Sequence, residues 1–304
     1  MLSFRAMCVV LLVLHAGAVS ASPNEERVGT FMAEEKRVTR LDVPANDKVA
    51  LLAAAYAAVR SDLRFPDAAK EQDDGDLALL YRAADVASFY TSDRRYALDM
   101  LALATELQRR NLLTARQQRD TYLALVASRA YAPAKAWRER TRLTGIREAD
   151  YELRTGVDER RSVELKLTEH GVEAVPFDVP PGPFVLVVTH PLCHFSQYAQ
   201  DFIERNPALR NALQGHIKWV AVQQREPDMQ AFRDWNDGHA SIQIGQIYDI
   251  SAWPIERQWE TPVFYFFKDG RIVANIVGWP REGRAKELFA AMALAGFEGV
   301  ESMR

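Results

Sequence analysis

The stretch Thr189-His190-Pro191-Leu192-Cys193-His194-Phe195-Ser196 gathers a thiol, two imidazoles and two hydroxyls in the space of a single turn. It follows the apolar run Phe184-Val185-Leu186-Val187-Val188, which has the length and β-branched content of a buried strand. It precedes Gln197 to Ile203, whose apolar residues are spaced as in a helix. Cys193 therefore falls at a strand-to-helix turn, where unpaired N–H groups and the positive end of the helix dipole favour thiolate over thiol. That is the placement a nucleophilic cysteine needs. His194 is expected to stabilise the thiolate or pass a proton, and Ser196 to cap the helix or hydrogen-bond the sulfur. His190, Cys193 and His194 are also donor types for copper or zinc, but no fourth ligand is evident nearby, and His216 and His239 are recruitable only through the fold. No cofactor is expected.

Residues 1–21 read as an export signal. Arg5 supplies the positive start, Met7 to Leu14 the short apolar core, and Val19-Ser20-Ala21 the small residues of a cleavage site. The apolar part is too short for a comfortable membrane span, so no stable span is expected after cleavage. Removal of the segment takes Cys8 with it and leaves Cys193 as the one cysteine of a periplasmic or secreted protein, without an internal disulfide. The fold must then stand on its hydrophobic core, for which 304 residues at 48% hydrophobic content suffice. A net charge of -3 argues against a general nucleic-acid binder.

The chain divides into a helical part, 22–143, and a sheet-containing part, 144–304. In the first, Ala, Leu, Arg and Glu dominate, and helices are expected over Val28 to Arg40, Asp47 to Arg60, Leu77 to Tyr90, Arg94 to Arg110, Ala115 to Tyr131 and Ala134 to Arg142. Asp73 to Asp76, Ser92-Asp93 and Thr114 offer caps. Tyr81 and Tyr122, Ala83 and Ala124, Tyr90 and Tyr131, and Tyr96 and Trp137 are each 41 positions apart. This period suits stacked helical hairpins of tetratricopeptide type, although the glycine and proline positions of that pattern are missing. A concave surface for a protein partner is the functional reading of such a stack; a helical domain packed on its neighbour is the plain one. The basic residues between Arg129 and Arg147 read mainly as a solvated helix face.

In the second part Val163 to Leu167 alternates as a half-exposed strand, and Val172 to Phe177 follows a His170-Gly171 turn. Beyond Cys193 come a strand at Ile217 to Val222, a helix at Asp228 to Trp235, and strands at Ile242 to Ile247, Val263 to Phe267 and Arg271 to Val277. A helix at Arg284 to Leu294 closes the pattern. Asp269-Gly270 is a hairpin turn signal. The aromatic residues Trp253, Trp259, Phe264, Tyr265, Phe266 and Phe267 read as core and loop packing.

With these residues in place, Val163 to Leu294 resembles the thioredoxin superfamily, most of all its exported branch of cytochrome-maturation thioredoxins and peroxiredoxin relatives. The strand Phe184 to Val188, the Cys193-to-Ser196 turn, Thr261-Pro262 and the Asp269-Gly270 hairpin carry the resemblance. It implies a thioredoxin-like α/β sandwich, which with the helical, repeat-like part before it makes a two-domain α+β fold. It also implies that Cys193 attacks disulfides and that Pro262 is a cis proline beside which Thr261 offers its backbone to a bound peptide. Ser196 stands where the family has its second cysteine, so the site is Cys-x-x-Ser and cannot close an internal disulfide. Leu192 replaces the family's tryptophan, and Val187 its buried acid. The expected function is monothiol exchange, of reductase or isomerase type, on protein or small-molecule thiols and disulfides. The alternative is a non-catalytic adaptor binding a protein through its helices; a third is copper or zinc binding at His190, Cys193 and His194.

Overall fold

The computed structural model describes residues 22–145, 158, 160–168, 171–222, 225, 228–256, 258 and 260–300. The expected export signal with Cys8, His170 of the turn and Trp259 of the aromatic group lie outside them.

Seven helices come first: α1 (Pro23–Thr39), α2 (Ala45–Val59), α3 (Asp67–Glu71), α4 (Asp74–Thr91), α5 (Arg94–Arg109), α6 (Ala115–Ala127) and α7 (Tyr131–Thr141). α1 begins five residues before the expected Val28, because the Ser22 side chain accepts from Glu25 N–H and Pro23 suits the first turn. Asp73, Asp93 and Thr114 cap α4, α5 and α6, and Thr114 forms a reciprocal capping box with Gln117. Two helices stand where two were expected, but the break between them comes earlier: α6 ends at Ala127 rather than Tyr131, and α7 begins at Tyr131 rather than Ala134. Arg129 takes a left-handed φ of 63°, the chain reverses, and α7 starts at Tyr131. Tyr81 and Tyr122 are buried alike, as are Ala83 and Ala124, and Tyr96 and Trp137.

The rest of the chain is β1 (Val163–Thr168), β2 (Gly171–Pro176), β3 (Pro183–Val188), α8 (His194–Arg205), α9 (Pro207–Leu213), β4 (Ile217–Val222), α10 (Met229–Gly238), β5 (Ile244–Ile247), β6 (Val263–Lys268), β7 (Arg271–Val277) and α11 (Ala285–Ala295). They build one sheet in the order β2-β1-β5-β4-β3-β6-β7. β3, β4 and β5 run parallel, and the remaining pairings are antiparallel. Asp269 and Gly270, with φ of 50° and 76°, make the β6–β7 turn, as two left-handed residues do in hairpins. A register shift between Phe266 and Phe267 bulges that hairpin.

On one face of the sheet, Val185, Val187, Trp219, Ile244, Phe264 and Phe266 pack under α8, α9, α10 and α11. Farther along, Val163, Leu165 and Val172 join the same core as the buried residues of α1, α2, α4, α5, α6 and α7. The opposite face packs Leu186, Val220, Tyr265 and Phe267 against Ile250, Trp253 and Ile255 of the connection before β6. Phe177 stacks on Trp253 with ring centroids 4.8 Å apart. The half-exposed alternation expected for Val163 to Leu167 does not hold, because β1 lies inside the sheet and Glu164 is buried along with its neighbours.

Candidate functional site

β3 ends at Val188, and Thr189 to Leu192 carry the chain over to α8, whose N-cap position is Cys193. The turn is fastened at His190. Its carbonyl accepts from Cys193 N–H at 3.0 Å, its ring Nδ1 accepts from Leu192 N–H at 3.2 Å, and its own N–H points to the Ser196 hydroxyl at 3.5 Å. Gln197 Nε2 adds a bond to the Pro191 carbonyl at 3.0 Å. An imidazole that accepts at Nδ1 must be neutral there. Burial lowers the His190 pKa, partly offset by the Asp228 carboxylate, and so favours that neutral form.

Cys193 is partly buried and reduced. Its thiol donates to the Thr261 carbonyl at 3.5 Å, across the end of the sheet. The chain enters β6 there through a cis Thr261–Pro262 bond. Burial pushes the Cys193 thiol up, but hydrogen bonds from the Thr261 side chain, the backbone and hydroxyl of Ser196 and the backbone of Phe195 outweigh it, and the net pKa is lowered. Three of the expected site residues, Cys193, Ser196 and Thr261, thus come together, with Pro262 next in the chain. Ser196 is fully buried in the third helical position and makes no cap; its hydroxyl serves the sulfur and His190 N–H. His194 is exposed, its ring 4.0 Å from that of Phe195 and 5.9 Å from that of Tyr198.

Among the described residues, no three His, Cys, Asp or Glu side chains gather so as to hold a metal ion. His190 faces Phe232 edge-on at 5.5 Å, while His216 and His239 engage the carbonyls of Pro183 and Trp235.

Sequence reasoning missed the wall opposite the turn. Pro191 and Leu192 on one side, and Asp228, Met229, Gln230, Ala231, Arg233, Asp234 and Trp235 of α10 on the other, line an open groove of about 970 Å³. Leu192, one residue before the thiol, is 61% exposed, and Phe195, two residues after it, is 42% exposed. Asp228 was legible as a helix start, and it does accept from Ala231 N–H; nothing local in the sequence marked it as a neighbour of His190.

The fold is thioredoxin-like. A cysteine-bearing helix leaves the central strand β3, which lies parallel to β4 and antiparallel to β6, and β7 and α11 complete the unit. No protein-family profile matches the chain, and no curated protein matches it. Among solved structures it is similar to "a Putative Thioredoxin from Neisseria meningitidis", at 18% identity and a TM-score of 0.30, over 47% of this chain and 95% of that one.

Proposed function

We propose that the chain is an exported protein that exchanges thiols and disulfides through Cys193 alone. The Cys193 thiolate attacks one sulfur of a substrate disulfide, a Cys193–substrate disulfide forms, and the other sulfur leaves as a thiolate with the bonding electrons. A second thiol, on the substrate or on a small molecule, then attacks and releases Cys193. Ser196 holds the sulfur but cannot perform that release. Thr261 and Pro262 would meet the backbone of the substrate, and His194, exposed and absent from the groups that lower the Cys193 pKa, would meet it at the surface rather than stabilise the thiolate as expected. The observation that carries this reading is the Cys193 sulfur at the start of α8 against Thr261, with its pKa lowered by the donors around it. The test is the rate of Cys193 alkylation against pH in the native protein. A midpoint well below about 8.5 supports an activated thiolate. A thiol that reacts only after denaturation overturns the reading.

A second reading is favoured by the helices. α4 packs on α5 and α6 on α7, and Tyr81 with Tyr122, Ala83 with Ala124, and Tyr96 with Trp137 are buried alike. We read these helices as a repeat-like domain offering a surface to a protein partner. Binding that survives Cys193→Ser while exchange is lost would separate this role from the first.

A further inference from the structure

We propose that Arg225 is a positioning residue through which the helices α4 and α6 set the groove beside Cys193. This rests on the reading of Cys193 as the exchanging thiol. Arg225 lies between β4 and α10. Its guanidinium pairs with Asp85 of α4, donates to the Asp120 carbonyl of α6 at 3.4 Å, and sits over the Phe89 ring at 5.7 Å. Only about a fifth of its side chain is exposed, so salt screens the pair less than it would at the surface.

Three residues farther on, Asp228 begins α10, and the helix from there forms one whole wall of the groove. The same helix turn reaches the thiol side: the Asp228 carboxylate acts on His190, and Phe232 meets the His190 ring. His190 fastens the turn that presents Pro191, Leu192 and Cys193. Contacts thus run from Asp85, Asp120 and Phe89 to Arg225, and from Asp228 and Phe232 to His190 on the opposite wall, and Arg225 stands three residues before Asp228 in the chain. The donors that lower the Cys193 pKa belong to α8 and to the Thr261 turn, not to α10. Release of Arg225 should therefore change what enters the groove and leave the reactivity of the sulfur alone. The groove suits an extended peptide with an apolar side chain next to its cysteine, because the exposed Leu192 flanks it and its charges are mixed in sign.

Two reagents separate these effects. Iodoacetamide reads the sulfur: Cys193 gains a carboxamidomethyl group and iodide leaves. A short peptide with leucine beside its cysteine, carried as the 2-thiopyridyl disulfide, reads the groove: Cys193 bonds to the peptide sulfur and 2-thiopyridone leaves. Asp85→Asn and Arg225→Gln should slow the peptide reaction by about three- to tenfold, within the span of couplings carried by such contacts. The iodoacetamide rate should stay within about twofold on the same grounds. Asp85→Arg combined with Arg225→Asp should recover much of the peptide rate, as a coupled pair does in a double-mutant cycle.

Unchanged peptide rates overturn the proposal. So does an equal fall in both reactions, which would mean general loosening of the fold. A native thiol inert to iodoacetamide sinks the exchange reading instead. In that case amide hydrogen exchange over 229–238 still decides the matter: faster exchange there in Asp85→Asn supports the positioning role, and no change refutes it.

Discussion

Glu164 and Lys218 form an ion pair at 2.5 Å although their strands, β1 and β4, are separated by β5. The residue of β5 lying between them is Gly245, and a Cβ built there would come within 1.9 Å of Glu164 Oε1. Glycine is needed for the room it leaves. Gly245→Ala should push the carboxylate off its partner and cost about 3 kcal/mol, the low end for breaking a buried pair, since Lys218 keeps some access to water. Urea unfolding would show it as a lower midpoint at unchanged slope. A loss below about 1 kcal/mol would mean that the carboxylate finds another seat.

Ser196 contributes both its backbone and its hydroxyl to holding down the Cys193 pKa. Ser196→Ala removes only the hydroxyl, so the alkylation midpoint should rise partway toward about 8.5 without reaching it. The same depressed pKa links to stability. Between the folded-state value and the unfolded value, the unfolded chain holds a proton that the folded one has released. Wild type should therefore gain stability over Cys193→Ser as pH rises through that window, and the difference should level off above it. Denaturant midpoints of both proteins, measured from about pH 6 to about pH 9, give the comparison. A flat difference would contradict the lowered pKa.

His190 works in the opposite pH range. Its pKa is lowered by burial, so below about 6.5 the unfolded chain takes up a proton that the folded ring refuses. Wild type should lose more stability than His190→Gln as pH falls from about 7, until the folded ring itself protonates and gives up the Leu192 N–H. Parallel acid limbs for the two proteins would show that the ring titrates alike in both states.

Trp137 is 1% exposed and donates its indole N–H to the Gln118 carbonyl at 2.9 Å. Trp137→Ala should cost about 3–5 kcal/mol in cavity and lost contacts. Thr114→Ala, which removes one half of the α6 capping box, should cost about 1 kcal/mol. The ratio of the two losses, read from the same unfolding curves, distinguishes packing from capping as the main support of α6 and α7.

What the sequence made legible was local. The run from Phe184 to Val188, the Asp269-Gly270 turn and the caps at Asp73, Asp93 and Thr114 each carry their signal within a few residues, and each lies where its pattern put it. Cys193 at a helix start was equally plain. Its contact with Thr261 spans 68 positions and was foreseen only through the family resemblance. Arg225, 140 positions from Asp85, left no trace, because an arginine in a loop reads the same whether it meets water or a carboxylate. The burial of Glu164 was hidden for a related reason. Alternation distinguishes the two faces of a strand, but it does not say that both are covered.

β7 closes one end of the sheet with Ile272 and Val273 well exposed. A flat strand with such residues would invite a second chain to pair with it. The shift between Phe266 and Phe267 falls just across from them, and a bulge there twists the hairpin out of line. Arg271 and Lys268, facing each other at the hairpin end, add like charges to any approaching copy. The irregularity is thus a form of insulation: it lets the folded chain, with an unguarded apolar border, be crowded without templating its own kind.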